Sequence, residues 1–233
     1  VVAELEGRVA RTADAAGQAA LELAETRAGA ASRLERQVQK ELRGLGMEQA
    51  RFRIGLRREP AADGELAAGP ARWRVGRRGA DHAEMLFSAN PGEDPRPLAK
   101  VVSGGELSRT MLAMRAVLSA AGDVPTMVFD EVDAGIGGRV AEVVGQKLGQ
   151  IAAGRQVLCV THLAPIAVYA DHHLRAEKTA SRTSTRTTVT TLDGAARVQE
   201  LARMLGGERV TDATRRAARE LLRAARRGGR RDG

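Results

Sequence analysis

Apolar residues in the first stretch of the chain recur at the spacing of a helix. From residue 1 to residue 45 they form a seam at the a and d positions of a heptad pattern, which predicts one long amphipathic helix. Its members are Val2, Leu5, Val9, Ala16, Ala19, Leu23 and Ala30, and then Leu34, Val38 and Leu45 after a shift of register. The seam is rich in alanine and interrupted by glycines, each of which costs a helix interior up to ~1 kcal/mol. We expect residues 1–48 to form the returning arm of an antiparallel coiled coil; an ordinary amphipathic surface helix is the alternative.

Two segments after this helix mix apolar residues with arginines at alternating positions. Phe52, Ile54 and Leu56 stand among Arg51, Arg53 and Arg57, and Trp73 and Val75 stand among Arg72, Arg74 and Arg77. The alternation predicts half-buried antiparallel strands with a basic outer face, and the stretch from Pro60 to Pro70 between them is predicted to be a loop. The arginines either contact DNA phosphates or form a solvated face.

The rest of the chain alternates between helical and strand-like patterns, which predicts an α/β fold. The predicted elements are a helix from residue 104 to Leu118, a strand Thr126–Phe129 buried on both faces, a helix Arg139–Ile151 and a strand Gln156–Thr161. They continue with a short helix near residues 166–170, strands near residues 172–177 and 183–192, and helices over residues 195–205 and 212–226. Ligands of such sheets gather at the carboxyl ends of the strands, so the residues that follow the two apolar strands are the candidates for chemistry.

The tetrapeptide Ser103-Gly104-Gly105-Glu106 opens the first of these predicted helices. Unpaired N–H groups and the macrodipole make a helix N-terminus a phosphate-binding site, and glycine lets the backbone approach a ligand closely. Serine followed three residues later by glutamate is also an ordinary capping box. Taken alone, the tetrapeptide leaves both interpretations open.

Two acidic residues, Asp130 and Glu131, end the first apolar strand. One carboxylate can hold Mg²⁺ directly or through water, and its neighbour points another way and can orient or deprotonate an attacking water. Two adjacent acids after a strand can also be solvated turn residues. His162 follows the second apolar strand, from which it can reach the same end of the sheet and donate a hydrogen bond to a phosphate or to that water.

The ordered set of these motifs is more specific than any one of them, and through it the chain resembles the C-terminal half of the RecN family. That family comprises bacterial DNA-repair ATPases related to SMC proteins within the ABC ATPase superfamily. The stretches that carry the resemblance are FSANPGED from Phe87, RPLAKVVSGGELSR from Arg96, VFDEVDAGIGGRVA from Val128, VLCVTHLAPIA from Val157, ADHH from Ala170 and RVQELARMLGG from Arg197. The resemblance is strongest from about Glu84 to Gly207.

The resemblance implies that residues 49–233 form the C-terminal lobe of an ABC/SMC-type P-loop ATPase head that uses ATP and Mg²⁺. Residues Ser103 to Glu106 match the ABC signature, which contacts the γ-phosphate of ATP held by a second, opposing head. Asp130 matches the Walker B aspartate that serves Mg²⁺, and Glu131 matches the catalytic base. Asp133 matches the D-loop aspartate and His162 the switch histidine.

The chain also departs from the family pattern. Ala164-Pro165 stands where relatives more often have Pro then Gln, and Gly137 where many have Ser. No G-x-x-x-x-G-K-[ST] occurs anywhere in the chain, so the loop that cradles the β- and γ-phosphates is missing. We therefore expect this chain to be the C-terminal portion of a larger protein, inactive alone, whose own N-terminal Walker A lobe completes the site.

Composition narrows the choice of partner. The chain has 233 residues, a net charge of +8 and only 2% aromatic residues, with arginines dense from Arg215 to Arg231. This balance suits a polyanion contacted through phosphates, because base stacking has little aromatic material here. One cysteine, Cys159, lies in a predicted buried strand, and there is no disulfide framework. We expect a cytoplasmic, nucleoid-associated protein that does not engage a membrane.

The expected function is ATP binding and hydrolysis between engaged heads, coupled to action on DNA in the repair and recombination of double-strand breaks. A non-catalytic basic DNA-binding or architectural module is the alternative, and the ATPase subunit of an ABC transporter is a less favoured one. We do not assign a metal site to Asp171, His172 and His173, because no further His or Cys has metal-ligand spacing.

Overall fold

The computed structural model describes residues 1–64, 66–68, 71–101, 103–118, 124–180, 184–207 and 209–228. The chain divides into two compact units, one built from residues 1–40 and 49–101 and the other from residues 41–48 and 102–233. The last arginines of the basic tail, Arg230 and Arg231, lie outside the described residues, as does the start of the strand predicted from Thr183. Within the described parts, no helix is both long and apolar enough to cross a membrane.

The predicted N-terminal helix is present as a single element, α1 (Val2–Gly44). Of the predicted seam, Val2, Leu5, Val9, Ala19, Leu23 and Ala30 are exposed, and Val38 and Leu45 are buried. The buried alanines between these two groups, Ala20 and Ala24, are not positions of the predicted seam. The assignment of residues 1–48 to a coiled-coil arm stays a prediction, because the apolar residues near the N-terminus of α1 pack against no other element among the described residues.

Side chains of α1 also satisfy the backbone of the strand that follows, β1 (Arg51–Arg58). The N–H of Phe52 donates to Gln39 Oε1 at 3.1 Å, and the N–H of Ile54 donates to Glu35 Oε1 at 2.6 Å. Polar residues on a helix face thus serve as partners for backbone groups that have no neighbouring strand on that side.

The first unit contains an antiparallel sheet and a small hairpin. The strands are β2 (Leu66–Ala68), β3 (Ala71–Trp73), β4 (Asp81–Ser88) and β5 (Arg96–Pro97); the sheet order is β1-β4-β5, and β2 pairs with β3. The prediction of β1 is confirmed, and its apolar Phe52 is buried while Arg51 and Arg53 are exposed. The prediction of a loop throughout residues 60–70 is wrong, because Leu66 packs against Ala20 and Ala80 and holds β2 in place. Val75 follows β3 instead of belonging to a strand.

The second unit begins with the predicted alternation of helices and strands. Its elements are α2 (Gly104–Val117), β6 (Thr126–Phe129), α3 (Gly138–Ala152) and β7 (Gln156–Cys159), and β6 and β7 pair in parallel with Phe129 opposite Cys159. The α/β fold is therefore confirmed. The prediction that β6 is buried on both faces is wrong: Met127 and Phe129 are buried, but Val128 is 69% exposed. Only one face of this sheet is covered by the described part of the unit, and on the other Leu158 is also exposed.

The chain continues with α4 (Ala164–Ala167), the antiparallel hairpin of β8 (His173–Ala180) and β9 (Thr185–Leu192), and then α5 (Gly194–Gly206) and α6 (Asp212–Gly228). These elements agree with the predicted ones to within a few residues. Their apolar core consists of Ala164, Ala167, Val168, Leu201, Ala202, Ala218 and Ala225. The small residues on α6 let this helix pack closely on α5.

A buried polar cluster ties β8 to α5. Glu200 accepts hydrogen bonds from Arg203 at 2.6 and 3.0 Å and lies 3.7 Å from the Arg175 guanidinium. The hydrogen bonds from Arg203 lower the pKa of the Glu200 carboxyl. Burial lowers the pKa of nearby His173, with a further contribution from the charge of Arg197. The cluster therefore combines an ionised carboxylate with a neutral imidazole at neutral pH.

The packing of α5 predicts that substitutions of two leucines on that helix lower the free energy of unfolding by different amounts. Leu201 is fully buried, whereas Leu205 is 39% exposed. We expect Leu201→Ala to lower the free energy of unfolding by about 2–5 kcal/mol through lost burial and the cavity left behind, and Leu205→Ala to lower it by less than about 1 kcal/mol. Urea unfolding of the two variants measures both values. Equal losses would contradict the described position of α5.

Candidate functional site

Helix α2 starts at the tetrapeptide that the sequence singles out. Ser103 is the N-cap residue, with extended backbone, and its Oγ accepts a hydrogen bond from the N–H of Glu106 at 3.4 Å. The carbonyl oxygen of Glu106 in turn accepts from Thr110 Oγ1 at 2.8 Å. Ser103 thus caps the helix as expected. The cap does not use the N–H groups of Gly104 and Gly105, which lie at the tip of the helix.

The loop after β6 holds its acidic pair in an unusual conformation. Glu131 has φ 56°, in the left-handed region that few residues other than glycine adopt. Its N–H donates to Asp130 Oδ1 at 2.9 Å, and its carbonyl oxygen accepts from the N–H of Ala134 at 3.0 Å. Both carboxylates are exposed. Backbone strain of this kind costs of order 1–3 kcal/mol and is concentrated at functional sites.

The two glycines of α2 pack directly on this loop. A Cβ atom at Gly104 would overlap the Glu131 carboxylate, and one at Gly105 would lie 2.8 Å from Ala134 Cβ. The close approach requires glycine at Gly105, whose neighbours include the carbonyl oxygens of Glu131 and Ala134, whereas at Gly104 the neighbour is the end of the flexible Glu131 side chain. The arrangement places the Glu131 carboxylate at the positive end of the α2 dipole.

Asp133 connects the same loop to the end of β7. Its side chain is buried, and its Oδ2 atom accepts from Thr161 Oγ1 at 2.6 Å and from the N–H of His162 at 2.9 Å. The Nδ1 atom of His162 lies 3.1 Å from the same oxygen, whereas the His162 side chain as a whole is 76% exposed. Thr161 Oγ1 also accepts from the N–H of Leu163 at 3.0 Å. Asp133 thus fixes the backbone that carries His162 and leaves the outer part of the imidazole free to contact a ligand.

Two residues to which the sequence analysis gave no role, Ser108 and Arg109, complete this arrangement. Ser108 Oγ donates to the carbonyl oxygen of Asp130 at 2.7 Å, and buried Arg109 donates to the carbonyl oxygen of Ala134 at 2.7 Å. Burial lowers the pKa of the Arg109 guanidinium, against the charge of Glu106, which raises it. The signal for Arg109 was present in the sequence, since a charged residue among apolar helix positions needs buried partners.

Cys159 ends β7 close to the carboxylates of Asp130 and Asp133. Burial raises the pKa of its thiol to about 12, with further contributions from Asp133 and Asp130. The thiol is therefore protonated at neutral pH and is a poor nucleophile and metal ligand. Cys159 is half-buried and acts as a small apolar residue.

The residues present fit a magnesium ion held largely by other ligands. Among the described residues, no group of three or more His, Cys, Asp or Glu side chains could hold a metal. Asp130 presents one exposed carboxylate, and its Oδ1 is already bonded to the N–H of Glu131. This suits Mg²⁺, which usually keeps several waters and takes one or two carboxylates together with phosphate oxygens.

All the predicted site residues lie in the second unit, and the structure brings them together on two sides of the Asp130–Asp133 loop. Gly104 and Gly105 approach it from α2, and His162 approaches it from the end of β7. Ser103 and Glu106 sit at the start of α2, and within the described residues neither forms a hydrogen bond or ion pair with Asp133 or His162. The roles of these residues toward a ligand stay predictions.

The relatives of this chain identify its family. The DNA repair protein RecN of Streptomyces coelicolor is 42% identical over 210 residues, which cover 90% of this chain and 36% of that protein. RecN of Mycobacterium bovis is 44% identical over 234 aligned residues, which cover 96% of this chain and 39% of that protein. This chain is a RecN homologue. No family model matches it.

The homologous region is only part of these RecN proteins, since the chain spans 36% and 39% of their lengths. Among solved structures, an Smc head domain with a coiled coil and joint from Pyrococcus yayanosii is 16% identical, with a TM-score of 0.45, and the match covers 86% of this chain and 30% of that one. At this level of likeness, the assignment to RecN rests on the sequence relatives.

The Asp133 network predicts a measurable loss of stability. Asp133→Ala leaves the hydroxyl of Thr161 and the N–H of His162 without their buried acceptor, so we expect the free energy of unfolding to fall by about 1–3 kcal/mol. Glu142→Ala removes an exposed carboxylate from α3 and should change it by less than about 0.5 kcal/mol. Chemical denaturation of both variants tests this; a silent Asp133→Ala would show that the loop does not depend on these bonds.

Proposed function

We propose that this chain is the C-terminal lobe of a RecN-type ATPase head, which binds ATP between two engaged heads, hydrolyses it and acts on DNA in the repair of double-strand breaks. The observation that carries the proposal is the buried Asp133 carboxylate, which joins the loop after β6 to the residues after β7. Two motif segments that are separate in sequence thereby meet at one site, and the glycines at the start of α2 approach the same loop. The RecN relatives support the DNA-repair part of the proposal.

Each residue has a role that its position can serve. Asp130, exposed after β6, would hold Mg²⁺, which neutralises developing charge on the phosphates. Glu131, with its exposed carboxylate, would orient and deprotonate the attacking water. His162 would donate a hydrogen bond to the γ-phosphate, and Asp133 would position it through its backbone N–H and Nδ1.

The start of α2 would bind the γ-phosphate of ATP held by the opposing head. Ser103 offers a hydroxyl, and the N–H groups of Gly104 and Gly105 lie at the helix tip. In the described conformation the Glu131 carboxylate lies against Gly104. A phosphate that docks there would therefore compete with Glu131 for the same positive end of the helix.

The remaining half of the nucleotide site would come from elsewhere in the protein. This chain contains no phosphate loop of the G-x-x-x-x-G-K-[ST] type. The open face of the β6–β7 sheet, with Val128 69% and Val160 61% exposed, is an apolar surface of the kind that another lobe covers. We propose that the N-terminal Walker A lobe of the same protein packs here and that two such heads form a homodimer.

The isolated chain should not turn over ATP. Without a phosphate loop it lacks the amides and lysine that hold the β- and γ-phosphates, so we expect no ATP binding by titration calorimetry and no phosphate release above background. Adding the Walker A lobe should restore both. Turnover by the isolated chain that survives Glu131→Gln would remove the half-site proposal, and an assembled protein that binds DNA without turnover would favour the non-catalytic DNA-binding module.

Two variants of the complete protein should stop at different stages of the ATP cycle, one after the heads engage and the other before. Glu131→Gln keeps the shape of the side chain but removes the base, so hydrolysis should fall by roughly 10² or more while ATP binding persists and engaged heads accumulate. Ser103→Arg places bulk and charge where the opposing γ-phosphate docks, so turnover should be lost because heads fail to engage, with ATP binding to each separate head retained.

Light scattering during size-exclusion chromatography in ATP separates these stages. The first variant should show a larger ATP-stabilised species and the second should not. If both variants behave alike, the division between a base at Glu131 and a signature that acts across the head interface is wrong.

A further inference from the structure

Helix α6 carries a stripe of arginines on its outer face. The stripe consists of Arg215, Arg216, Arg219, Arg223 and Arg226, which recur at helical spacing. On the face beside this stripe, Ala218 and Ala225 are buried in the core. The buried alanines fix the rotation of the helix, so the direction in which the arginines project is determined by the packing of α6.

Part of this stripe lines a pocket of about 400 Å³, which we call the arginine pocket. Its charged residues are Arg197 from α5, Arg219, Arg223 and Arg226 from α6, and Asp171 and Asp193. Positive charge predominates at neutral pH; His172 also lines the pocket, and its described lining has no Phe, Tyr or Trp.

The arginines of α6 that line the pocket are free of partners within the described residues. Arg219, Arg223 and Arg226 have no hydrogen bond or ion pair there, whereas Arg215, outside the pocket, is bonded to Gln199 and Asp212. The guanidinium groups of these three α6 arginines can therefore bind a ligand without first breaking a hydrogen bond or ion pair within the described protein.

Arg197 forms the fixed wall of the pocket. Its Nη2 atom donates to the carbonyl oxygens of Ala167 and Val168, each at 3.2 Å, and of Ala170 at 2.6 Å. These carbonyls lie at the C-terminal end of α4 and just beyond it, and that of Ala167 also accepts from the N–H of Ala170 at 3.3 Å, so the arginine secures the end of the helix while its charge faces the pocket. Its Nε atom is buried and has no hydrogen-bond partner among the described residues.

The like charges in the pocket repel one another. Burial lowers the pKa of the Arg197 guanidinium, the positive charge of Arg226 lowers it further, and Asp171 opposes both effects. Bringing unpaired cations together costs free energy that a bound anion relieves, and the benefit is greatest for a ligand with several acceptor oxygens in the plane of the guanidinium.

We propose that the arginine pocket binds backbone phosphates of duplex DNA. Guanidinium groups match phosphate geometry, and a lining with four arginines and, among its described residues, no Phe, Tyr or Trp favours a sugar-phosphate backbone over a nucleotide base. The choice of DNA as the source of the phosphate rests on the proposed function. The pocket is distinct from the residues around Asp133, to which the proposed function assigns the nucleotide.

The test compares two double variants of the complete protein that lose the same charge from the same helix. Arg219→Gln with Arg223→Gln removes two pocket arginines, and Arg216→Gln with Arg227→Gln removes two exposed arginines outside the pocket lining. Fluorescence anisotropy with a labelled duplex is measured over a range of NaCl concentrations. Thermal unfolding checks that both variants are folded, which the exposed positions of all four side chains favour.

We expect the pocket variant to bind the duplex about tenfold more weakly near 0.1 M salt and to lower the slope of log K against log salt by about 2, as for two lost phosphate contacts. The control variant should change the affinity by less than about threefold, the size of a diffuse charge effect. The pair Arg219→Lys with Arg223→Lys keeps the charge but loses the planar fork, and should recover the slope but only part of the affinity.

Several results would overturn the proposal. Equal losses in the pocket and control variants would show a diffuse electrostatic effect, and unchanged binding in the pocket variant would show that DNA does not use this site. Binding of inorganic pyrophosphate that the pocket variant loses, with no change in duplex affinity, would assign the pocket to a small anion instead. ATP turnover is measured in the same preparations without DNA, so that failure of the pocket and failure of the ATPase proposal give different outcomes.

Discussion

The buried carboxylate of Asp133 is the interaction on which the candidate site depends. Two strands that run in parallel place their carboxyl ends side by side, but the loops that follow them have no ladder to hold them in register. Asp133 supplies that connection through a single oxygen atom, which accepts from Thr161 and from His162. Since a buried charge is tolerated only when it is well bonded, the loops are held together by the need to satisfy this group.

The second constraint on the site is steric, and it acts on the side of α2. Gly104 and Gly105 lie so close to the loop after β6 that any side chain would displace Glu131 or Ala134. Arg109, one turn further along the helix, bonds to the carbonyl oxygen of Ala134 and secures the same contact from within the core. The helix tip and the backbone of the acidic loop therefore pack directly on each other, with the Glu131 carboxylate beside Gly104.

The sequence predicted most of the elements because their apolar patterns are local. The helices α1, α2, α3, α5 and α6 and the strand β1 follow from periodicity, and the strands β6 and β7 follow from short apolar runs. The exposure of Val128 on β6 could not be predicted, because an apolar run has the same pattern whether one or both faces are covered. The strand at Leu66 was missed for a related reason: it is held by distant contacts with Ala20 and Ala80, not by its own short sequence.

The site was predictable as a set of residues but not as a network. Ser103, Asp130, Glu131 and His162 stood out because their chemistry and order are distinctive. The bond of Ser108 to the carbonyl oxygen of Asp130 depends on how α2 is placed over the loop, which no spacing in the sequence encodes. The resemblance to RecN supplied the roles, and the geometry supplied the reason that Asp133 is buried.

The hairpin of β8 and β9 has a consequence for how molecules of this protein meet in solution. Most of its residues are exposed on both faces, and in the described part of the chain each strand pairs only with the other, so each leaves one edge unpaired. Such edges can pair with those of another molecule and start aggregation. The charged residues along it, Arg175, Glu177, Lys178 and Arg186, oppose that association because a second sheet edge would have to desolvate them. The charges of a hairpin that contributes little to the apolar core therefore disfavour edge-to-edge association of this protein.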